Sequence, residues 1–121
     1  MLSLKKEIRS FICAFRGVFY AFKNETHIKI HTFVALIVCI LGFLLKITAN
    51  EWLVCLFCIA MVFSAEMINT AIEKIMDLIS PEHNFRVGII KDIAAGAVLV
   101  CVIFAVAIGM IIFIPKILAL F

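Results

Sequence analysis

The chain has 121 residues, of which 66% are hydrophobic, and its mean hydropathy is +1.25. Soluble domains are roughly 45–50% apolar, and a soluble protein this small could not bury so much apolar side chain. The formal net charge of +3 is too small to indicate a nucleic-acid-binding protein. We therefore predict one all-α integral membrane domain over residues 1–121, with an N-terminal interfacial helix followed by three transmembrane helices.

The first predicted element is an amphipathic helix over residues 4–22. Its apolar residues recur every three or four positions, and its basic residues fall mainly on other faces. The apolar set is Leu4, Ile8, Phe11, Phe15, Phe19 and Phe22. A basic face opposite a phenylalanine-rich face is typical of a helix that lies in the membrane interface. Packing on partner helices is a compatible alternative.

Three hydrophobic segments predict membrane spans within helices over residues 30–47, 52–79 and 87–114. We expect a short turn at Thr48–Glu51, followed by Trp52 as an interfacial anchor. The second helix should stop at Pro81 and the third at Pro115, because proline cannot continue a helix interior. A polar loop over residues 82–88 is expected to connect these two helices.

Basic residues are distributed unevenly about the predicted spans. Nine precede the first span or surround the second connection: Lys5, Lys6, Arg9, Arg16, Lys23, Lys29, Lys74, Arg86 and Lys91. Only Lys46 and Lys116 lie on the other side. Because Lys and Arg are retained on the cytoplasmic side, this bias predicts that the N-terminus and the second connection are cytoplasmic.

The second span carries polar residues that a membrane helix does not ordinarily tolerate. Glu66, Asn69, Glu73 and Asp77 follow one another by three or four residues and therefore share one helix face. An intramembrane carboxylate costs at least ~2.5 kcal/mol on insertion scales, so its default interpretation is functional. A structural polar contact between helices is the alternative. Three carboxylates on one face favour function, because their mutual repulsion requires a compensating cation.

The same residues suggest a chemistry. Carboxylates with an amide at one membrane face can hold Mg²⁺, which often binds through one or two carboxylates and substrate phosphates. Lys91 could neutralise a phosphate, although an interfacial lysine would look the same in sequence. Glu25 is another cytoplasmic carboxylate. The deeper Glu66 could take a proton from an alcohol held at the interface.

Two further patterns favour structural interpretations. Cys55 and Cys58 form a CxxC on an apolar helix without metal-ligand partners nearby, which indicates ordinary packing. His27 and His31 have the i, i+4 spacing of a helical metal pair. With Lys29 between them and no third ligand specified, we interpret them as interfacial polar residues.

Taken together, Glu66–Glu73 (EMINTAIE), Asp77 and Lys91–Val98 (KDIAAGAV) resemble the prokaryotic diacylglycerol kinase family, which includes the undecaprenol kinases of Gram-positive bacteria. The Asn24–Glu25 pair and the topology also match, so the resemblance covers nearly the whole chain. It implies a homotrimer in the bacterial plasma membrane, with three active sites near subunit boundaries, each using MgATP at the cytoplasmic interface.

The resemblance also implies a role for each polar residue. Glu66 is expected to be the general base that activates the lipid hydroxyl, and Glu25 and Glu73 to hold the metal that bridges the ATP phosphates. The expected nucleotide-binding set is Glu25, Asn69, Glu73, Asp77, Lys91 and Asp92.

Two departures from the family pattern matter. The loop Glu82–Arg86 lacks the Glu-Tyr-His run expected there, which bears on the nucleotide contacts of the loop. Ala95 stands where diacylglycerol-specific enzymes look like they carry a serine, which bears on the substrate. The Ala94–Ala95–Gly96 segment is similar to the undecaprenol kinase pattern, and an apolar lining offers no partner for an ester carbonyl. We therefore predict phosphorylation of undecaprenol to undecaprenyl phosphate. Phosphorylation of diacylglycerol to phosphatidic acid is the alternative.

Two other classes of protein are compatible with an intramembrane carboxylate. One is a small oligomeric proton or cation transporter, and the other is a non-catalytic membrane adaptor. Against a transporter, the carboxylates gather toward one membrane face, and the third span has no ionisable group between Ile93 and Ile114.

Overall fold

A computed structural model describes residues 3–82 and 84–121, and over these residues the chain forms four α-helices. They are α1 (Leu4–Asn24), α2 (Thr26–Leu44), α3 (Ala49–Ile79) and α4 (Phe85–Leu118). By length and composition α2, α3 and α4 can each cross a membrane. The predicted all-α fold with three membrane-spanning helices is confirmed.

Helix α1 is attached to the spans at its C-terminal end. Ala21 is buried there, and the Phe22 ring stacks on Phe63 of α3 with 5.1 Å between ring centroids. The Lys74 ammonium lies 5.2 Å from the centre of the Tyr20 ring, a cation–π geometry. The apolar side chains nearer the N-terminus are exposed on this chain, as a helix lying in the membrane interface requires.

Helices α1 and α2 are separated by one residue, Glu25, whose backbone is extended (φ −99°, ψ 120°). The prediction did not assign residues 23–29 to a helix. In the structure all of them except Glu25 are helical. Backbone hydrogen bonding continues across the junction, from the Glu25 N–H to the Ala21 carbonyl (3.0 Å) and from the Lys29 N–H to the Glu25 carbonyl (3.2 Å). Hydropathy locates the apolar part of a span. The helix itself extends beyond that part, as far as its backbone N–H and carbonyl groups find hydrogen-bond partners.

The connection between α2 and α3 is Leu45–Thr48, and the turn predicted at Thr48–Glu51 is wrong because α3 already begins at Ala49. The Thr48 hydroxyl accepts a hydrogen bond from the Glu51 N–H (3.2 Å), and the Glu51 carboxylate accepts one from the Thr48 N–H (2.9 Å). This reciprocal capping box makes Thr48 the N-cap of α3. Its Thr-x-x-Glu spacing is visible in the sequence and places the helix start before Trp52.

Gly42 of α2 lies directly against the Trp52 indole of α3. A Cβ added at Gly42 would lie 2.8 Å from two atoms of that rigid ring, so the helices would have to separate. We expect Gly42→Ala to lower the free energy of unfolding by about 1–3 kcal/mol, seen as a lower melting temperature in detergent. Gly17→Ala is the matched control, because a Cβ there meets no atom within 4 Å. An equal melting temperature for both variants would contradict the close packing of Gly42.

Helix α4 is longer than predicted at both ends. The Asn84 side chain accepts a hydrogen bond from the Val87 N–H (2.9 Å), so the helix begins at Phe85, inside the predicted loop. The prediction that Pro115 ends the helix is wrong, since α4 continues to Leu118. Proline has a helical φ and removes only one backbone donor, and the Ala119 N–H bonds the Pro115 carbonyl (3.1 Å). Within the loop singled out in sequence, His83 lies outside the described residues.

The end of the bundle near the α2–α3 turn is held by apolar packing. Ile47, Cys55, Ile112 and Phe113 form a buried cluster there. Lys116 near the end of α4 pairs with Glu51 near the start of α3 over 3.1 Å. The most extensive helix–helix contact is between α3 and α4, which run the length of the bundle together. The polar residues of α3 therefore lie toward the opposite end of the bundle.

Candidate active site

The acidic stripe of α3, defined as Glu66, Asn69, Glu73 and Asp77, becomes more exposed toward the end of the helix. The Glu66 side chain is 7% exposed and the Asp77 side chain 64% exposed, with half-buried Asn69 and Glu73 between them. One end of the stripe is therefore enclosed by protein beside the apolar part of the span. The other end is accessible to water-soluble groups.

His31 of α2 contacts the buried end of the stripe. Its Nε2 lies 3.2 Å from Oε1 of Glu66, and with the proton on Nε2 the ring donates a hydrogen bond to the carboxylate. The interpretation of His31 as an interfacial residue missed this contact. The signal for it in the sequence is indirect: a buried carboxylate needs a partner, and His31 is a donor near the start of the adjacent span.

Asn69 and Glu73 form the middle of the stripe. The Asn69 amide nitrogen is 3.4 Å from Oε1 of Glu73, which makes a long hydrogen bond. Among the residues that the structure describes, the amide oxygen Oδ1 of Asn69 has no hydrogen-bond partner although it is buried. A free amide oxygen beside a carboxylate is a ligand pair suited to a divalent cation such as Mg²⁺. These residues therefore fit a metal.

Lys91 connects α4 to the exposed end of the stripe. Its ammonium lies 2.6 Å from Oδ1 of Asp77 in an exposed contact, with Lys91 half-buried and Asp77 exposed. An exposed ion pair contributes little to stability, so it leaves Lys91 available to other anions. The repulsion among the carboxylates of the stripe was expected to require a cation, and the Lys91 ammonium is such a cation at the exposed end.

Glu25 lies at the junction of α1 and α2, and Lys74 follows Glu73 on α3. The Lys74 ammonium lies over the Tyr20 ring of α1. Asp92 is exposed and follows Lys91 on α4, but it forms no hydrogen bond or ion pair over residues 3–82 and 84–121. Of the predicted site residues, Glu25 and Asp92 are thus the two whose side chains form no hydrogen bond or ion pair within the described part of the chain.

Over the same described residues, no three His, Cys, Asp or Glu side chains are grouped so that they could hold a metal by themselves. The carboxylates are spread along the helix, and pairs of oxygen ligands are what the geometry offers. Mg²⁺ commonly binds through one or two carboxylates and completes its shell with substrate phosphates. The arrangement therefore suits a metal that arrives with a phosphate ligand.

These features define a class: a helical membrane protein with a carboxylate-lined site that extends from the apolar part of a span to its charged end. The chain matches the family described as prokaryotic diacylglycerol kinase over residues 12–113, and it belongs to that family. It is accordingly a lipid kinase, as the resemblance of its motifs predicted. The transporter and adaptor alternatives are therefore set aside.

Three relatives illustrate the similarity. The chain is 38% identical over 113 residues to an undecaprenol kinase of Bacillus subtilis, covering 93% of this chain and 92% of that protein. It is 37% identical over 112 residues to a diacylglycerol kinase of Synechocystis, covering 92% of this chain and 64% of that protein. A diacylglycerol kinase of Haemophilus influenzae is 32% identical over 85 residues, covering 70% of this chain and 72% of that protein. The relatives thus carry two different substrate names.

Proposed function

We propose that this kinase transfers the γ-phosphoryl group of ATP, with Mg²⁺, to undecaprenol at the cytoplasmic face of the bacterial cell membrane. The observation that carries the proposal is the environment of Glu66. This carboxylate is buried at the apolar end of the stripe and contacts His31, while the other end of the stripe is charged and exposed. A lipid hydroxyl and a nucleotide phosphate could therefore approach the stripe from opposite ends.

In the proposed reaction Glu66 is the general base. It takes the proton of the lipid hydroxyl as the hydroxyl oxygen bonds to the γ-phosphorus. The bond from that phosphorus to the β–γ bridging oxygen breaks, and ADP leaves with the electron pair. The proton stays on Glu66 until it is released to water. A base at this depth suits an alcohol whose position is set by a hydrocarbon tail in the bilayer.

The other polar residues would position the nucleotide. Glu25, Glu73 and the free amide oxygen of Asn69 would hold Mg²⁺, which when bound neutralises phosphate charge. When the nucleotide binds, the Lys91 ammonium would leave its ion pair with Asp77 and bind the phosphates instead. The proposed nucleotide-binding residues also include Asp77 and Asp92, in addition to Glu25, Asn69, Glu73 and Lys91. Phosphoryl transfer needs positioning and charge neutralisation more than covalent chemistry, and these residues supply both.

The choice of undecaprenol rests on the Bacillus subtilis relative, which aligns over nearly its whole length, and on the Ala94–Ala95–Gly96 pattern. Ala95 is exposed on this chain and offers no hydrogen-bond donor to an ester carbonyl. Diacylglycerol is the second candidate, because the Synechocystis and Haemophilus influenzae relatives carry that name.

We also propose a homotrimer in which a second copy completes each site. Large apolar side chains are exposed along all three spans of one chain, which leaves surface for neighbouring copies as well as for lipid. Asp92 is exposed and forms no hydrogen bond with the described residues of its own chain, and it would face a site completed by a neighbour. The Lys and Arg bias supports a cytoplasmic location for the N-terminus and the site.

The test is transfer of labelled γ-phosphate from ATP by the purified protein in lipid, with undecaprenol and diacylglycerol supplied separately and in competition. Strong labelling of undecaprenol alone would support the proposal. A preference for diacylglycerol would retain the mechanism and replace the substrate. Absence of labelling from folded protein would refute the proposed reaction.

The contact between His31 and Glu66 leads to a prediction about the base. His31→Phe keeps a ring but removes the donor, and hydrogen bonds to charged groups contribute about 1.5–3 kcal/mol. We expect kcat to fall about 10- to 100-fold, with the KM for ATP unchanged. His31→Gln restores an N–H donor and should recover most of the loss. Equal activity of the Phe and Gln variants would show that His31 acts by packing and not by orienting Glu66.

A further inference from the structure

An apolar cavity of about 210 Å³ lies between α2, α3 and α4. It runs along α2 from His31 to Val38, and the residues lining it on α3 and α4 are almost all aliphatic, aromatic or thiol-bearing. Ala35, Ala105 and Gly109 contribute small side chains or none, which leaves the space open. A pocket lined in this way offers water few hydrogen-bond partners and suits an apolar ligand.

The cavity adjoins the proposed base. His31 lines one end of it, and the same ring contacts the Glu66 carboxylate at 3.2 Å. Val62 and Phe63 also line the cavity and precede Glu66 by about one helical turn, which is ~5.4 Å along the axis. The cavity thus approaches Glu66 from the apolar side, away from Asp77 and Lys91.

We propose that this cavity binds the part of the acceptor's hydrocarbon chain that lies next to the reacting hydroxyl. The inference rests on the proposed function, because it assumes that the hydroxyl is placed at Glu66. The chain must then leave Glu66 toward hydrocarbon, and the cavity is an apolar path that begins at its partner, His31. A cavity of roughly 150 Å³ holds a benzene-sized molecule. The larger volume here takes a short chain segment, and the rest of a long chain stays in the bilayer.

The lining also sets a preference among lipid alcohols. Apart from cysteine thiols, His31 is the polar side chain that lines the cavity, and it is engaged with Glu66. An ester carbonyl that entered would lose its hydrogen bonds without replacement. Diacylglycerol carries esters close to its hydroxyl, whereas a polyprenol carries hydrocarbon there. The cavity therefore selects an alcohol without polar groups near the hydroxyl.

Filling the cavity is the first test. Gly109 lines it, and a Cβ added there meets no atom within 4 Å, so the side chain of Gly109→Leu starts from open space at the cavity wall. We expect the KM for undecaprenol to rise about tenfold and the KM for ATP to stay the same. Ala107→Leu is the matched control, because Ala107 is exposed on the same helix and is not among the lining residues. An unchanged KM for undecaprenol in folded Gly109→Leu would overturn the assignment.

The second test does not depend on turnover. A polyprenol with a photoactivatable diazirine beside its hydroxyl end is bound to the wild-type protein, and the labelled residues are mapped by mass spectrometry. Labels on Ala35, Val38 or Ala105 would support the assignment. Labels confined to exposed Leu36, Val100 and Ile103 would overturn it, and so would the same cavity labels from a photoactivatable phosphatidylcholine. Because labelling is read without phosphate transfer, failure of the inference is distinguishable from failure of the proposed function.

Discussion

Replacement of Glu66 by glutamine is expected to lower kcat about 10²- to 10⁴-fold, the range that a positioned general base contributes. Glutamine has nearly the same shape as glutamate, and its carbonyl oxygen can still accept the hydrogen bond from His31. The fold and the exposed end of the stripe should therefore persist. What is lost is the group that takes the proton, so nucleotide affinity should not change.

The measurement is single-turnover transfer of labelled phosphate to undecaprenol, together with a separate ATP-binding titration on the same preparation. Glu7→Gln provides a control, since it makes the same chemical change at an exposed position of α1. Turnover at the wild-type rate in Glu66→Gln would remove Glu66 from the role of base. Loss of ATP binding in that variant would instead assign Glu66 to the nucleotide site.

The second large effect is expected from Glu73→Gln. Removal of one negative ligand beside the amide oxygen of Asn69 should raise the Mg²⁺ concentration for half-maximal activity about 10- to 100-fold. The Asn69 amide can still donate to the new side-chain oxygen, so the local fold should persist. Activity should recover at high Mg²⁺, because the ATP phosphates supply the remaining ligands.

A Mg²⁺ titration of activity at saturating ATP measures this effect. Glu51→Gln is the matched control, because it removes a carboxylate from the same helix at the end that pairs with Lys116. It should leave the Mg²⁺ dependence as in the wild type, even if it lowers the melting temperature slightly. A Glu73→Gln titration that coincides with the wild-type curve would leave Glu25 as the proposed carboxylate ligand.

The acidic stripe of α3 is an arrangement that helical periodicity predicts from the sequence. The steps of three or four residues between Glu66, Asn69, Glu73 and Asp77 predict one shared helix face, and α3 is helical through all of them. Their depth in the span also followed from the apolar run before Glu66. Their individual roles stay predictions, since neither the fold nor the relatives' names test them.

The predicted helix ends were wrong where they rested on the apolar run alone or on a proline. Thr48 caps the start of α3 through reciprocal hydrogen bonds with Glu51, and α4 continues past Pro115 to Leu118. Hydropathy averages over many residues, whereas a helix end is decided by one or two hydrogen bonds. The Thr-x-x-Glu pattern was available and would have corrected the first error.

The sequence by itself determined the number of spans, the amphipathic N-terminal helix, the polar face of α3 and, through its motifs, the kinase family. These properties depend on composition and on spacing within one helix. Only the tertiary structure decided that His31 contacts Glu66, that Lys91 reaches Asp77, and that an apolar cavity adjoins the proposed base. Each of these joins different helices, and the relative rotation and depth of two helices are set by side-chain packing, which periodicity within one helix does not specify.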